Sequence, residues 1–181
     1  MISLVKLILE GQEFDYGCAM LYFSFPEMSK IQDAINPEYL YEGEEGEDRT
    51  YGFEDSPHCT LLYGLHKEVP LEKIESVIKE TVFSKCKLYN LSKFDNPKYD
   101  VLKFDVKGEG LKAANQALCQ LPHTTEFPDY HPHATVAYLK KGTADKYISQ
   151  FEGLEFNIAP THAVYSTPEG TQHEIKINLA K

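Results

Sequence analysis

Pro57-His58-Cys59-Thr60-Leu61-Leu62-Tyr63 recurs 75 residues further on as Pro132-His133-Ala134-Thr135-Val136-Ala137-Tyr138. Four of the seven positions are identical, and the other three exchange one small or apolar residue for another. Each copy reads as a buried strand and is followed, after a short loop, by a helical pattern. Self-similarity that extends to the following element predicts two related lobes about a pseudo-twofold axis.

Along a strand, side chains two apart share a face. His58 therefore points with Thr60, and His133 with Thr135, while Cys59 and Ala134 point to the other side. Tyr63 and Tyr138, five residues beyond each histidine, are expected to pack in the core. If the axis sets the two strands side by side, two imidazoles and two hydroxyls face one cleft.

The rest of the chain supplies the frame. Tyr16 to Phe25 is nearly all apolar and aromatic up to Pro26, as for a strand covered on both faces, with Ile2 to Leu9 as a short helix before it and Glu27 to Asn36 as a helix after it. Pro70 to Phe83 carries Ile74, Val77, Ile78 and Val82 at helical spacing behind a first-turn proline. A hairpin turning at Asp95-Asn96-Pro97-Lys98 follows; Leu102, Phe104 and Val106 alternate with Lys103, Asp105 and Lys107, which predicts one wet face. Gly108 to Leu121 and Thr143 to Phe151 read as helices, Pro132 to Leu139 as a strand. The tail reads as a hairpin turning at Pro168-Glu169-Gly170, with Ile175, Ile177 and Leu179 as its apolar side. Glu42 to Asp48 has five acids, two glycines and no apolar residue, so a flexible acidic loop is expected. This order of elements gives an α+β fold in a single domain over 1–181, two pseudo-symmetric lobes built on two antiparallel sheets flanked by helices, with a central cleft.

Composition narrows the partners. Lys and Arg total 18 against 28 Asp and Glu, a formal charge of -10, and Arg49 is the sole arginine. Gripping long nucleic acid takes many basic side chains, so a small phosphorylated ligand held by a few directed groups fits better. No apolar run reaches the ~18 residues of a membrane span, and the four cysteines form no CxxC pair. A soluble cytoplasmic protein with reduced thiols is expected. The sequence leaves the oligomeric state open.

Phosphodiester cleavage places attacking and leaving oxygens on opposite sides of phosphorus, each needing help with a proton. Two imidazoles, ordinarily titrating near ~6.5, can divide that work, one neutral and one protonated. Threonine hydroxyls can donate to the non-bridging oxygens, so neither a metal nor a cofactor is called for. In a chain with seven histidines, on the order of one H-x-[ST] triplet arises by chance. A third triplet, His123-Thr124-Thr125, runs into Glu126, Phe127 and Pro128 without a strand pattern, and is read as the accident.

The pair His58/Thr60 and His133/Thr135, each leading an apolar run, resembles the 2H phosphoesterase superfamily. That resemblance implies a bilobal α+β fold, metal-independent phosphodiesterase activity, His58 and His133 as catalytic groups, and Thr60 and Thr135 as phosphate-binding groups. The stretch Tyr51-Gly52-Phe53-Glu54-Asp55-Ser56-Pro57-His58-Cys59-Thr60-Leu61-Leu62-Tyr63-Gly64-Leu65 is similar to phage members, among them the anti-CBASS phosphodiesterases that degrade cyclic di- and trinucleotide alarm signals. The implied substrate is a small cyclic nucleotide in a bacterial cytoplasm. Other members of the superfamily act on 2′-5′ linkages or on RNA ends bearing 2′,3′-cyclic phosphates, and those substrates stay open.

Base or ribose contacts are sought in Tyr22, Glu54, Tyr165 and Glu174. Two rival readings remain. His131-Pro132-His133 can offer two ligands to zinc, with Asp129 and His123 nearby, in a metal-dependent hydrolase. Alternatively, the chain is a sponge that holds a nucleotide without cutting it.

Overall fold

The computed structural model describes residues 15–44 and 51–180. Ile2 to Leu9, and all but the first part of the acidic loop, lie outside them. The elements, in chain order, are β1 (Gly17–Ser24), α1 (Met28–Asp33), β2 (His58–Leu65), α2 (Leu71–Glu80), β3 (Val82–Phe83), β4 (Cys86–Asp95), β5 (Tyr99–Lys107), α3 (Leu111–Leu118), β6 (His133–Lys140), α4 (Ala144–Gln150), β7 (Phe156–Ser166), β8 (Gln172–Ile175) and β9 (Asn178–Leu179). A 3-10 turn, Pro37–Tyr39, follows α1. No helix among the described residues is long and apolar enough to cross a membrane.

The repeat seen in the sequence is a repeat of architecture. β1-α1-β2-α2 and β5-α3-β6-α4 have the same order, with antiparallel β1/β2 and β5/β6 pairs. The two lobes share β7, whose later half pairs with β1 and β8 and whose first residues pair with β4. The antiparallel layers are thus one seven-stranded sheet, in the order β2-β1-β7-β4-β5-β6 with β8 beside β7. The motif strands end this hydrogen-bonded path, and the sheet curls until β2 and β6 meet.

Both motif strands break register at the same place. The pairing jumps across Leu61 in β2 and across Val136 in β6, each three residues beyond its histidine. Such a bulge shifts the alternation of faces. Leu61 and Leu62 are consequently both buried, as are Val136 and Ala137. The shift also corrects the expected packing of the tyrosines. Tyr63 is 44% exposed, and Tyr138 is half-buried in a group of rings with Tyr51 and Tyr99.

A bulge leaves a strand carbonyl without its ladder partner, and a buried one must be satisfied elsewhere. Asn115 of α3 donates to the Leu61 carbonyl at 2.7 Å, and Gln32 of α1 donates to the Val136 carbonyl at 3.1 Å. The helices are exchanged between lobes: α1 follows β1 but packs on β6, and α3 follows β5 but packs on β2. This exchange ties the two halves into one core, which runs from Ala19 and Leu21 through Cys59 and Leu61 to Phe104, Ala134 and Val136.

Helix α2 buries Ile74 and Ile78, as its spacing predicts, but stops at Glu80 because Thr81 turns extended. Val82, expected on the helical stripe, instead lies 47% exposed in β3, which pairs with β9. The two hairpin turns form where proline, asparagine and glycine mark them, between β4 and β5 and between β7 and β8. Ile175 is buried, whereas Leu179 is 47% exposed.

Candidate active site

Burial along the two motif strands follows one pattern at their first five positions. His58 and Thr60 are half-buried with Cys59 buried between them, and His133 and Thr135 flank a buried Ala134 in the same way. The half-buried faces look into the cleft. The entrances to the two strands are held together from both sides. Tyr130, three residues before His133, donates its hydroxyl proton to the Thr60 carbonyl at 3.1 Å. On the other side the Glu54 N–H, four residues before His58, donates to the Val136 carbonyl of β6 at 3.1 Å. The structure therefore brings His58, Thr60, His133 and Thr135 together.

Each ring is oriented by its own strand entrance. His58 Nδ1 lies 2.9 Å from the Ser56 carbonyl oxygen, and His133 Nδ1 lies 2.8 Å from that of His131. A carbonyl only accepts, so both Nδ1 atoms carry hydrogen, which leaves both Nε2 atoms as the working nitrogens. The bond alone is not diagnostic, since His123 Nδ1 makes the same contact with the Leu121 carbonyl. Position separates the third triplet: His123 bridges Leu65, seven residues along β2 from His58, or roughly 20 Å at strand rise.

Around the matched core the lobes differ. Beside His58, β1 supplies Tyr22, whose ring is 5.3 Å from the imidazole, and β7 supplies His162, stacked 5.1 Å on the other side of Tyr22. Met20, Tyr22 and Val164 form a small buried apolar patch on this face, separate from the main core. Beside His133, β5 supplies Asp105 directly across and Lys103 across from Thr135. β4 supplies Phe94, whose ring meets that of His133 edge-on at 4.8 Å and lies 4.7 Å from the Lys103 ammonium. Lys103 is buried and ion-paired to Asp105, whose other oxygen accepts from Asn90 at 2.6 Å.

The face of β5 expected to be wet is therefore partly a cleft wall. The alternation that picks out Lys103 and Asp105 is visible in the sequence; the pairing with the motif strand, which gives it meaning, is not. Nothing in the sequence singled out His162 or Phe94.

The four further candidates have different places. Tyr22 lies in the site, and burial, then the carboxyl of Glu54, push its hydroxyl pKa up. Glu54 is 6% exposed and sits where the chain crosses from β6 to β2. Burial pushes the Glu54 pKa up, His58 and the Ser56 N–H pull it down, and Asp55 adds a smaller upward push. Glu174 stands exposed on β8 across from Val164, on the rim of the apolar patch. Tyr165, 3% exposed, belongs to the main core beside Ala19, and the structure does not bring it to the cleft.

His133 has its pKa lowered, first by burial and then by Lys103 and His58, against the upward pull of the His131 carbonyl and Asp105. The Cys18 and Cys59 thiols are pushed up to about 12 by burial, so neither is a ready nucleophile. Among the described residues no group of three His, Cys, Asp or Glu side chains is placed to hold a metal ion, so the zinc reading finds no third ligand there for His131 and His133.

No family model matches the chain, and no curated protein matches it by sequence. Solved structures do. Usb1 of Kluyveromyces marxianus superimposes with a TM-score of 0.60 at 9% identity, covering 91% of this chain and 99% of that one. The same protein with uridine monophosphate gives a TM-score of 0.56 at 10% identity, covering 90% and 98%. At that identity the likeness speaks for the fold alone, an α+β fold shared with Usb1 over nearly the whole of both chains.

Proposed function

We propose that the protein is a phosphodiesterase that cleaves a small nucleotide phosphodiester by acid–base catalysis between His58 and His133, without a metal. The observation that carries this is the meeting of two strand entrances, each presenting an imidazole held through Nδ1 and a threonine hydroxyl on the same face. A phosphorus atom set between the two Nε2 atoms has a proton acceptor on one flank and a donor on the other. Thr60 and Thr135 donate to the non-bridging oxygens, where negative charge builds. With a ribose 2′-hydroxyl as nucleophile, the first step yields a 2′,3′-cyclic phosphate, and a second, by water, opens it to a 3′-phosphate.

For substrate we infer a cyclic di- or trinucleotide signal. The charge of -10 with a single arginine disfavours a long polyanion and suits a small ligand. Phe94, exposed beside His133, offers an aromatic surface for a base. A structural neighbour that was solved with uridine monophosphate favours a second reading, cleavage at an RNA end or a 2′-5′ linkage.

Incubation in EDTA with cyclic dinucleotides, cyclic trinucleotides, 2′-5′ oligoadenylate, 2′,3′-cyclic nucleotides and short RNA, with products resolved by mass, separates these. Linear products from the cyclic substrates support the first reading. Cleavage of the others alone supports the second. Recovery of every ligand unchanged contradicts both, and retention of an uncut one on the protein supports the sponge.

A further inference from the structure

The two motifs match, but what lies across from them does not. In the first lobe β1 sets Tyr22 across from His58 and Met20 across from Thr60; in the second, β5 sets Asp105 across from His133 and Lys103 across from Thr135. Directly opposed residues of an antiparallel pair share a face, with Cβ atoms about 5 Å apart, so each of these four side chains adjoins its motif residue on the cleft side. An apolar side chain satisfies the fold at the place across from the threonine, since Met20 is 1% exposed there. The second lobe carries an ammonium instead, and among the described residues Lys103, 7% exposed, is the only buried lysine.

A buried ion pair adds little to stability that a packed apolar side chain would not, yet this chain spends further structure on holding the charge in place. Asp105 is ion-paired to Lys103, and its other oxygen accepts from Asn90 at 2.6 Å. Asn90 reaches it from a bulge, where β4 skips register between Tyr89 and Ser92. It does so in the left-handed conformation, φ +51, which no other non-glycine residue adopts among those described. The ammonium stands 4.7 Å from the centre of the Phe94 ring, and that ring meets the His133 ring at 4.8 Å. An ammonium has three donors. Asp105 takes one and the Phe94 ring faces the group, which leaves a donor for an anion at Thr135 and His133.

Resting on the function proposed above, we infer that Lys103 is a third phosphate-binding residue, which together with Thr135 holds one non-bridging oxygen of the scissile phosphate. Asp105 and Asn90 are the positioning residues that fix its ammonium. The pair of uncharged threonines thereby gains a fixed positive charge on one side only, because the oxygen toward Thr60 meets Met20 instead. Negative charge on the non-bridging oxygens is greatest when phosphorus is five-coordinate, and a charge-assisted hydrogen bond strengthens with it. The contact therefore acts more on turnover than on binding.

Sulfur replacement reads this contact. The best substrate of the screen is made with sulfur in place of one non-bridging oxygen at each phosphate, as the separate all-Rp and all-Sp forms. Wild type is expected to cleave one form at least about tenfold faster, the one that keeps oxygen toward Lys103. Lys103→Met puts in the second lobe what the first already carries. It is expected to lose about 10²-fold in kcat on the all-oxygen substrate with KM little changed, and to bring the two sulfur forms within about threefold of each other.

The double variant Lys103→Met/Asp105→Asn leaves no unpaired charge behind and should show the same narrowing, so a folding defect of the single variant does not hide the result. A lysine with a merely structural role would slow both sulfur forms alike. No preference in wild type, a preference kept by the Lys103 variants, or a raised KM at unchanged kcat overturns the assignment while the two-histidine reading stands. Wild-type protein inactive on every substrate of the screen removes both.

Discussion

A hydroxyl that helps an oxyanion does so only if it is already aimed, and Thr60 and Thr135 are aimed by the pleat of strands whose opposite faces are locked in the core. Thr60→Val and Thr135→Val keep shape while removing one donor each. Each is expected to lower kcat by roughly 10- to 10²-fold with little change in KM, as steady-state kinetics on the substrate from the screen will show.

His133 also leaves a mark on stability. Its pKa is lowered in the folded chain, so the folded protein binds fewer protons than the unfolded one wherever the unfolded imidazole, near ~6.5, is charged. Stability is therefore undiminished by this group above that value. It falls as pH drops through it, and the loss levels off below the folded value. Denaturant unfolding at pH 8 and pH 5 should show a smaller acid loss for His133→Asn than for wild type; an equal or larger loss in the variant speaks against it.

At the scale of elements, the matched bulges in β2 and β6 set which residues face the cleft and which the core. The Leu61 carbonyl depends on the Asn115 side chain. Asn115→Leu leaves that acceptor without its donor, at an expected cost of about 1–3 kcal/mol in chemical denaturation. Gly64, near the end of β2, has φ +124, and a Cβ there would stand 1.9 Å from the Thr124 carbonyl oxygen, so the loop carrying His123 closes on it. Gly64→Ala is expected to destabilise by at least about 1 kcal/mol, seen as a lower Tm, with kcat of the remaining folded protein unchanged.

Periodicity could not announce either bulge. It reads a uniform strand, and so it sent Tyr63 inward where the register shift turns it out. The helix at Leu71–Glu80 was legible from Ile74 and Ile78, but its end was decided by Thr81, which carries no such pattern.

For the whole molecule, the internal repeat was the most informative feature of the sequence, because it is the trace of a β-α-β-α unit used twice. From it the lobes, the cleft and the four motif residues could be read before any coordinates. What could not be read is what pairing across strands creates: Lys103, Asp105 and His162 join the site only because β5 lies against β6 and β7 against β1. Tyr165 shows the converse. Its neighbour Val164 faces the cleft patch, and one step along the strand turns Tyr165 into the core. The sharing of β7 between the lobes, and the exchange of α1 and α3 across them, are likewise invisible to local pattern. They are what hold two strand entrances, 75 residues apart in sequence, against one another.

The central claim is that His58 and His133 serve one phosphorus atom as a unit. The most direct measurement is kcat for His58→Ala, His133→Ala and the double variant on the best substrate of the screen, with His123→Ala as control and circular dichroism confirming the fold. A loss of about 10³-fold or more is expected in each single variant, with a double variant scarcely slower than the worse single one and near wild-type turnover for His123→Ala. Wild-type turnover in either folded single variant would contradict the claim.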